Sequence, residues 1–203
     1  MSSRKILSRD SSGLLFEGEE RPDDSQIVCV TYDDVLSPNI AEAIQKKVMA
    51  EQWWFGNKSD KFVDDVRHWT IPCGDSIEDV SKSGFDYLLP IWDSTNSSIK
   101  ENLQWKRLYI NAHCFGIEPV AHQDDGDYTL LYYPLLEWAP EWLGGTAIWN
   151  NQKTEIIKYS NYVGNRIIMF PARSIHQAMP VAKSCLGLRP IVVFKLYDLS
   201  KDV

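Results

Sequence analysis

The chain has 203 residues, 44% of them hydrophobic and 12% aromatic, enough to bury a substantial core, and a single domain is the natural expectation. A net charge of −7 gives no global attraction to a phosphate backbone, so no nucleic-acid partner is expected. Cys29, Cys73, Cys114 and Cys185 stand far apart with no CxxC pair, which argues against a zinc ribbon or a disulfide framework, and no apolar run approaches the roughly 20 residues of a membrane span.

Residues 1–26 are rich in Ser, Asp, Glu and Arg and read as a mobile or surface-draped arm. The polar opening "MSSRKILSRDSSG" lacks the apolar stretch of a secretion signal, and with the unpaired thiols it leads to the expectation of a soluble, cytoplasmic protein with no membrane partner. In "SPNIAEAIQKKVMAEQWW", Ser37 is the expected N-cap and Pro38 the first helical residue, and Ile40, Ile44 and Val48 recur every fourth position; this predicts an amphipathic helix. A second helix is expected from about Tyr87 to Leu103, started or kinked near Pro90. The stretch between them, "KSDKFVDDVRHWTIPCGDS", is polar and turn-rich and gives no clear assignment.

From Trp105 the texture changes. "KRLYINAH", "DYTLLYY", "GTAIWN", "TEIIKYS", "NRIIMFP" and "LRPIVVFKLY" follow one another, separated by Gly, Pro or Asn, and read as short strands with no helices between them. Antiparallel strands in such number close as a sandwich, a barrel or a jelly roll, because open edges are a liability. Helices first and strands afterwards imply an α+β fold, with the helices packed on the outside of one sheet. The expected organisation is an arm over 1–26 and one domain over 27–203, with helical support over 27–104 and the strand core over 105–198.

"VAHQDDGDYTLLYYP" places an imidazole and three carboxylates ahead of a strand. If the segment is extended, His122 and Asp124 share a face while Asp125 points away. A third ligand must come from elsewhere, and His176 in "FPARSIHQAMP" stands at the end of another predicted strand. His122, Asp124 and His176 would form a 2-His-1-carboxylate triad, the arrangement that leaves half of an iron(II) coordination sphere open. An HxD pattern alone is nonspecific: His122 could equally cap a turn, and "DDGD" could be a solvated loop.

The order of "HQD", "TLLYYP", "EWAPEWLGG", "GNRIIMF", "SIHQ" and "LRPIVVFKLY" resembles the prolyl 4-hydroxylase-like branch of the 2-oxoglutarate and iron(II)-dependent oxygenases, over residues 105–198. The resemblance implies a double-stranded β-helix (jelly roll, cupin-like) core, with His122, Asp124 and His176 as iron ligands. It also implies Fe(II) as cofactor, with 2-oxoglutarate and O2 as cosubstrates. Arg189 falls where the family has a basic residue on the distal carboxylate of 2-oxoglutarate, which a planar guanidinium can grip with two parallel hydrogen bonds. Tyr133 matches a tyrosine reaching the same carboxylate, and His113 falls near a position often held by tyrosine beside the cosubstrate. Three departures stand out: "GGTA" replaces the more usual Gly-Gly-Glu-Thr, the gap from His176 to Arg189 is long, and Pro134 follows the paired tyrosines. Lys183 and Arg173 are the alternates if Arg189 turns outward.

The implied function is oxidation, most simply hydroxylation, of an unactivated C–H bond, coupled to conversion of 2-oxoglutarate to succinate and CO2. A small molecule, an amino acid or a peptidyl proline would serve as substrate, since fold and cofactor are shared across many. "EQWWFGN" and "VRHW" contribute Trp53, Trp54, Phe55, Arg67, His68 and Trp69. These either cover the mouth of the site, where Arg67 would hold a substrate carboxylate, or anchor helix to sheet. Two alternatives remain: a cupin-type metal dioxygenase that does not use 2-oxoglutarate, and a catalytically inactive jelly-roll binding protein.

Overall fold

In the computed structural model, which describes residues 6–10, 13–16, 23–59, 66–95 and 97–202, strands are the main regular structure. They are β1 (Ile6–Asp10), β2 (Gly13–Phe16), β3 (Val30–Tyr32), β4 (Trp54–Asn57), β5 (His68–Gly74), β6 (Leu103–His113), β7 (Tyr128–Tyr133), β8 (Thr146–Trp149), β9 (Ile156–Ser160), β10 (Arg166–Pro171), β11 (His176–Ala178) and β12 (Arg189–Asp198). The helices are α1 (Pro38–Ala50), α2 (Ile77–Lys82), α3 (Leu89–Asp93) and α4 (Ser97–Asn102).

A seven-stranded sheet runs in the order β3-β10-β7-β12-β6-β5-β4 and a three-stranded one in the order β11-β8-β9, with every pair antiparallel. Isolated bridges, His122 to His176 and Leu143 to Val181, extend the smaller sheet. From β6 onward the chain alternates between the two: β6 in the large sheet, His122 in the small, β7 in the large, β8 and β9 in the small, β10 in the large, β11 in the small and β12 in the large. This winding is a double-stranded β-helix, so the expected α+β jelly-roll architecture is what the chain adopts.

Strand periodicity sorts the core into two layers. Leu108, Ile110, Leu130, Tyr132, Val192 and Phe194 face outward, onto Ala41, Ile44 and Val48 of α1, Val80 of α2 and Ile91 of α3. Leu131, Tyr133, Ile168, Phe170, Ile191 and Val193 face inward, toward Ile148 of the small sheet. The register of β6 against β12 shifts between Lys195 and Leu196, whose partners are Arg107 and Trp105. Lys106 is thus the extra residue of a bulge, and it lets Trp105 join the outer layer while Arg107 turns inward.

Several expectations need correction. The single helix over Tyr87–Leu103 is instead two short ones: Pro90 lies in the first turn of α3, and the hydroxyls of Ser94 and Thr95 donate to the carbonyls of Ile91 and Trp92 at 2.7 Å each, drawing the chain out of the helix. Leu103 already begins β6. The unassigned stretch holds β5, with residues 60–65 outside the described ones. In α1, Ile40 is exposed and Ala41 takes its place in the buried stripe. Within the segment read as an arm, β1 and β2 pair with each other, while residues 1–5, 11–12 and 17–22 lie outside the described ones. All four cysteines are free, and no helix among the described residues is long and apolar enough to cross a membrane.

Candidate metal centre

His122 and Asp124 do not sit on a regular strand as the i, i+2 argument supposed: His122 is a single bridge residue and Asp124 follows it in irregular chain. The positions are fixed instead by backbone bonds to the other side of the site. The amides of His122 and His176 each donate to the other's carbonyl at 2.9 Å, and the amide of Asp124 donates to Ala172 O at 2.9 Å. That reciprocal pair sets the two imidazoles side by side, with ring centroids 4.5 Å apart. Each ring has its Nδ1 against a carbonyl, His122 with Val120 at 2.9 Å and His176 with Ser174 at 3.0 Å. A protonated Nδ1 leaves Nε2 as the free lone pair, the tautomer a metal ligand needs. Asp124 completes the group, Oδ1 standing 3.6 Å from His122 Nε2 and Oδ2 standing 3.3 Å from His176 Nε2. One ligand atom from each residue lies within 4.8 Å of the others, a span that a single ion at ligand distances of about 2.0–2.2 Å bridges after small side-chain adjustments.

Each acid of "QDDGD" has a separate task. Thr129 donates its hydroxyl to Asp124 Oδ2 at 2.7 Å, and the Lys195 ammonium contacts the same oxygen. Asp125 accepts from Arg107 at 2.6 Å. Asp127 accepts the amide of Asp198 at 2.8 Å and so ties the turn to the end of β12. Gly126 at φ 88° occupies the left-handed region, and a Cβ there would meet the Leu196 carbonyl at 2.9 Å, so the turn requires glycine.

The electrostatics suit ligation. Burial works to raise the Asp124 carboxyl, but the Lys195 ammonium and then the neighbouring imidazoles override it and hold the group well below the usual carboxylate range. Burial, helped by His176 and opposed by Asp124, lowers His122 to about 4, so that ring is neutral and its Nε2 can ligate at neutral pH.

Arg189 opens β12 on the inward face and is completely buried. Its Nε donates to Gly144 O, and its Nη2 donates to Gly145 O and to Thr146 Oγ1 at 3.2 Å each. The rings of Tyr133 and Tyr162 flank the guanidinium, with centroids at 5.7 and 5.5 Å. Its Nη1 has no hydrogen-bond partner, and no carboxylate among the described residues pairs with it. Lys183 is exposed, and with Arg189 turned inward neither it nor Arg173 has to stand in. The Tyr133 hydroxyl donates to Thr146 Oγ1 at 2.8 Å, which brings Arg189, Tyr133 and Thr146 to one point.

A cavity of about 600 Å³ runs over the triad and is lined by Thr146, His113, Asn111, Thr70, Asn57 and Trp54 among others. Thr70 and Asn57 both donate to Asn111 Oδ1, at 2.8 and 3.5 Å. His113 is buried with both ring nitrogens unpartnered; burial first, then Arg189 and His68, hold it well below its ordinary value. Of the aromatic cluster, Trp54 lines the cavity while 62% exposed, Trp53 packs against the outer core, and Phe55 meets Trp69 at 4.9 Å. Arg67 donates to Gly56 O at 3.2 Å and is outside the lining of the cavity. The sequence reading missed Lys195, Thr129 and Asn111. Alternation along β12 carried a signal for the first, since Arg189, Ile191, Val193 and Lys195 share one face.

A double-stranded β-helix with two histidines and an aspartate at one end defines the class of structure to which this chain is comparable. By sequence it matches no family profile and no curated protein. Among solved structures it is similar to a prolyl hydroxylase from Trichoplax adhaerens bound to a hypoxia-inducible-factor peptide fragment, at 13% identity and a TM-score of 0.59, covering 86% of this chain and 84% of that one. It is similar to a Pseudomonas putida prolyl-4-hydroxylase at 10% identity and a TM-score of 0.56, covering 84% and 94%. HygX from Streptomyces hygroscopicus, solved with nickel and 2-oxoglutarate, matches at 8% identity and a TM-score of 0.58, covering 86% and 84%. At such identities the likeness is one of fold: this chain has the fold of the iron(II) and 2-oxoglutarate oxygenases.

Proposed function

We propose that this protein is a non-haem iron(II) and 2-oxoglutarate-dependent dioxygenase that oxidises, most simply by hydroxylation, an unactivated C–H bond of a small molecule, an amino acid or a peptidyl proline. The observation that carries the reading is a buried guanidinium that lacks an anion among the described residues and whose hydroxyl partner, Thr146, is on the same ladder as His176 of a 2-His-1-carboxylate cluster. In register, His176 faces Ile148 and Ala178 faces Thr146. The hydroxyl that Arg189 grips therefore lies two residues along from the metal-side histidine, about 7 Å at the rise of a strand, which is close to the reach of a five-carbon diacid.

The donor set fits iron(II): two imidazole nitrogens and one carboxylate oxygen leave further positions open. Bound there, the metal with 2-oxoglutarate and O2 would supply oxidative decarboxylation of the cosubstrate to succinate and CO2, coupled to oxidation of the substrate. This chain's residues do the positioning. His122 and His176 present Nε2 because their Nδ1 atoms are held by carbonyls, and Thr129 fixes the Asp124 carboxylate. The free Nη1 of Arg189 would take the distal carboxylate, beside the Thr146 hydroxyl and under the Tyr133 ring. His113, neutral and unpartnered, is placed to bond the cosubstrate or substrate. Leu131, Ile191 and Val193 give the cavity a dry wall, which strengthens each of these polar contacts.

The test is anaerobic titration of iron(II)-loaded protein with 2-oxoglutarate. The expected result is a visible charge-transfer band from the chelate, and succinate on admitting oxygen. A folded, iron-loaded sample that gives no band would instead favour a jelly-roll metal enzyme without that cosubstrate.

A further inference from the structure

On β6 and β12, the cations Arg107, Arg189 and Lys195 point inward and differ in what neutralises them among the described residues. Arg107 has Asp125, Arg189 has no anion, and Lys195 has a metal ligand. Lys195 is 1% exposed, and it pairs in register with Thr129 on one side and Arg107 on the other. An ammonium this far from water needs an anion. The one its Nζ contacts is Asp124 Oδ2, the oxygen that also accepts from Thr129 at 2.7 Å. With the Thr129 hydroxyl and the Lys195 ammonium both against Oδ2, Asp124 has Oδ1 left to face an ion.

We propose that Lys195 is the resident counter-cation of the metal site: it holds Asp124 in place when no metal is bound, and it lowers the affinity of the site for a divalent cation. The proposal rests on the metal site of the reading above. Carboxylate and ammonium cancel each other in the metal-free protein, so the inner end of the barrel carries no net charge from this pair. An ion arriving at Asp124 meets the ammonium across one carboxylate. A charge within about 4–6 Å changes a carboxylate's affinity for a proton by one to three powers of ten, and a divalent ion on the same group feels the repulsion with twice the charge. A dianionic cosubstrate relieves that repulsion, so metal uptake is weak alone and strengthened when the cosubstrate is present.

The experiment measures Mn(II) affinity by calorimetry and by loss of the free-ion electron paramagnetic resonance signal, with and without 2-oxoglutarate. The full chain is compared with Lys195→Met, Lys195→Gln and Lys195→Arg, each checked for folding by near-ultraviolet circular dichroism. The neutral variants should bind Mn(II) alone about tenfold or more tightly than the wild type and gain less from 2-oxoglutarate, while Lys195→Arg should stay near wild type. Lys195→Gln keeps the test open if Lys195→Met does not fold, because its amide can still donate to Asp124. Unchanged or weaker binding by a folded neutral variant overturns the role given to Lys195 while leaving the metal site standing. Absence of Mn(II) binding in every form overturns the metal site and this inference together.

Discussion

His122 changes its protonation behaviour on folding, because burial beside His176 lowers it to about 4 from an ordinary value of 6.5. Above pH 6.5 both folded and unfolded forms are neutral, and the group contributes nothing to pH dependence. Between 6.5 and 4 the unfolded chain binds a proton that the folded one refuses, so stability falls as the pH falls. Metal-free protein should lose about 2 kcal/mol at pH 5 relative to pH 7 from this residue, and His113, lowered in the same sense, adds to the loss. Urea midpoints across that range check it, and His122→Gln should flatten the profile. Arg189 is the other residue whose removal has a defined signature. Truncating one partner of a buried charge pair costs about 2–5 kcal/mol, so Arg189→Met should weaken 2-oxoglutarate binding about a hundredfold or more. Mn(II) affinity in the same calorimetric experiment should stay within about twofold.

At the scale of elements, β12 carries both the outer core and the inner site. Phe194 is fully buried, with Trp92 and Trp105 at 6.4 and 5.9 Å; Phe194→Ala should cost about 3–5 kcal/mol in urea unfolding. The Gly-Gly turn before β8 serves the site in a different way. Gly144 at φ 74° and Gly145 turn their carbonyls onto Arg189, and a Cβ on Gly145 would run into the Tyr159 hydroxyl and the Ser160 carbonyl. Gly145→Ala should therefore destabilise by about 1–3 kcal/mol and weaken 2-oxoglutarate binding with little effect on Mn(II), as paired unfolding and calorimetric measurements would show. Short apolar runs bounded by Gly, Pro or Asn, which became β6 to β10 and β12, were legible from sequence. β4 and β5 were not, because each carries a register shift, between Phe55 and Asn57 and between Pro72 and Gly74, and both mix aromatic and polar residues, so their pairing rather than their local pattern makes them strands. The helix drawn over Tyr87–Leu103 failed because serine and threonine hydroxyls compete for the carbonyls it needed.

For the molecule as a whole, ligands that bind only the native state raise its stability by mass action. Mn(II) at about a hundred times its dissociation constant should add about 2.7 kcal/mol and lift the melting temperature by roughly 5–10 °C, with a further rise on adding 2-oxoglutarate; scanning calorimetry checks it. The residue types of the site were readable in chain order, because HxD and a distal histidine keep their identity whatever the register. The succession of short strands implied a sandwich, a barrel or a jelly roll, since apolar strand faces have to find a partner sheet, and the family resemblance implied the jelly roll among them. What the tertiary structure alone decided is which charges meet. Lys195 reaches Asp124, Arg107 reaches Asp125 and Arg189 reaches no anion among the described residues, because strand pairing sets Lys195 beside Arg107 while the Asp124 amide is held by the Ala172 carbonyl. Local periodicity says which way a side chain points and nothing about what stands opposite.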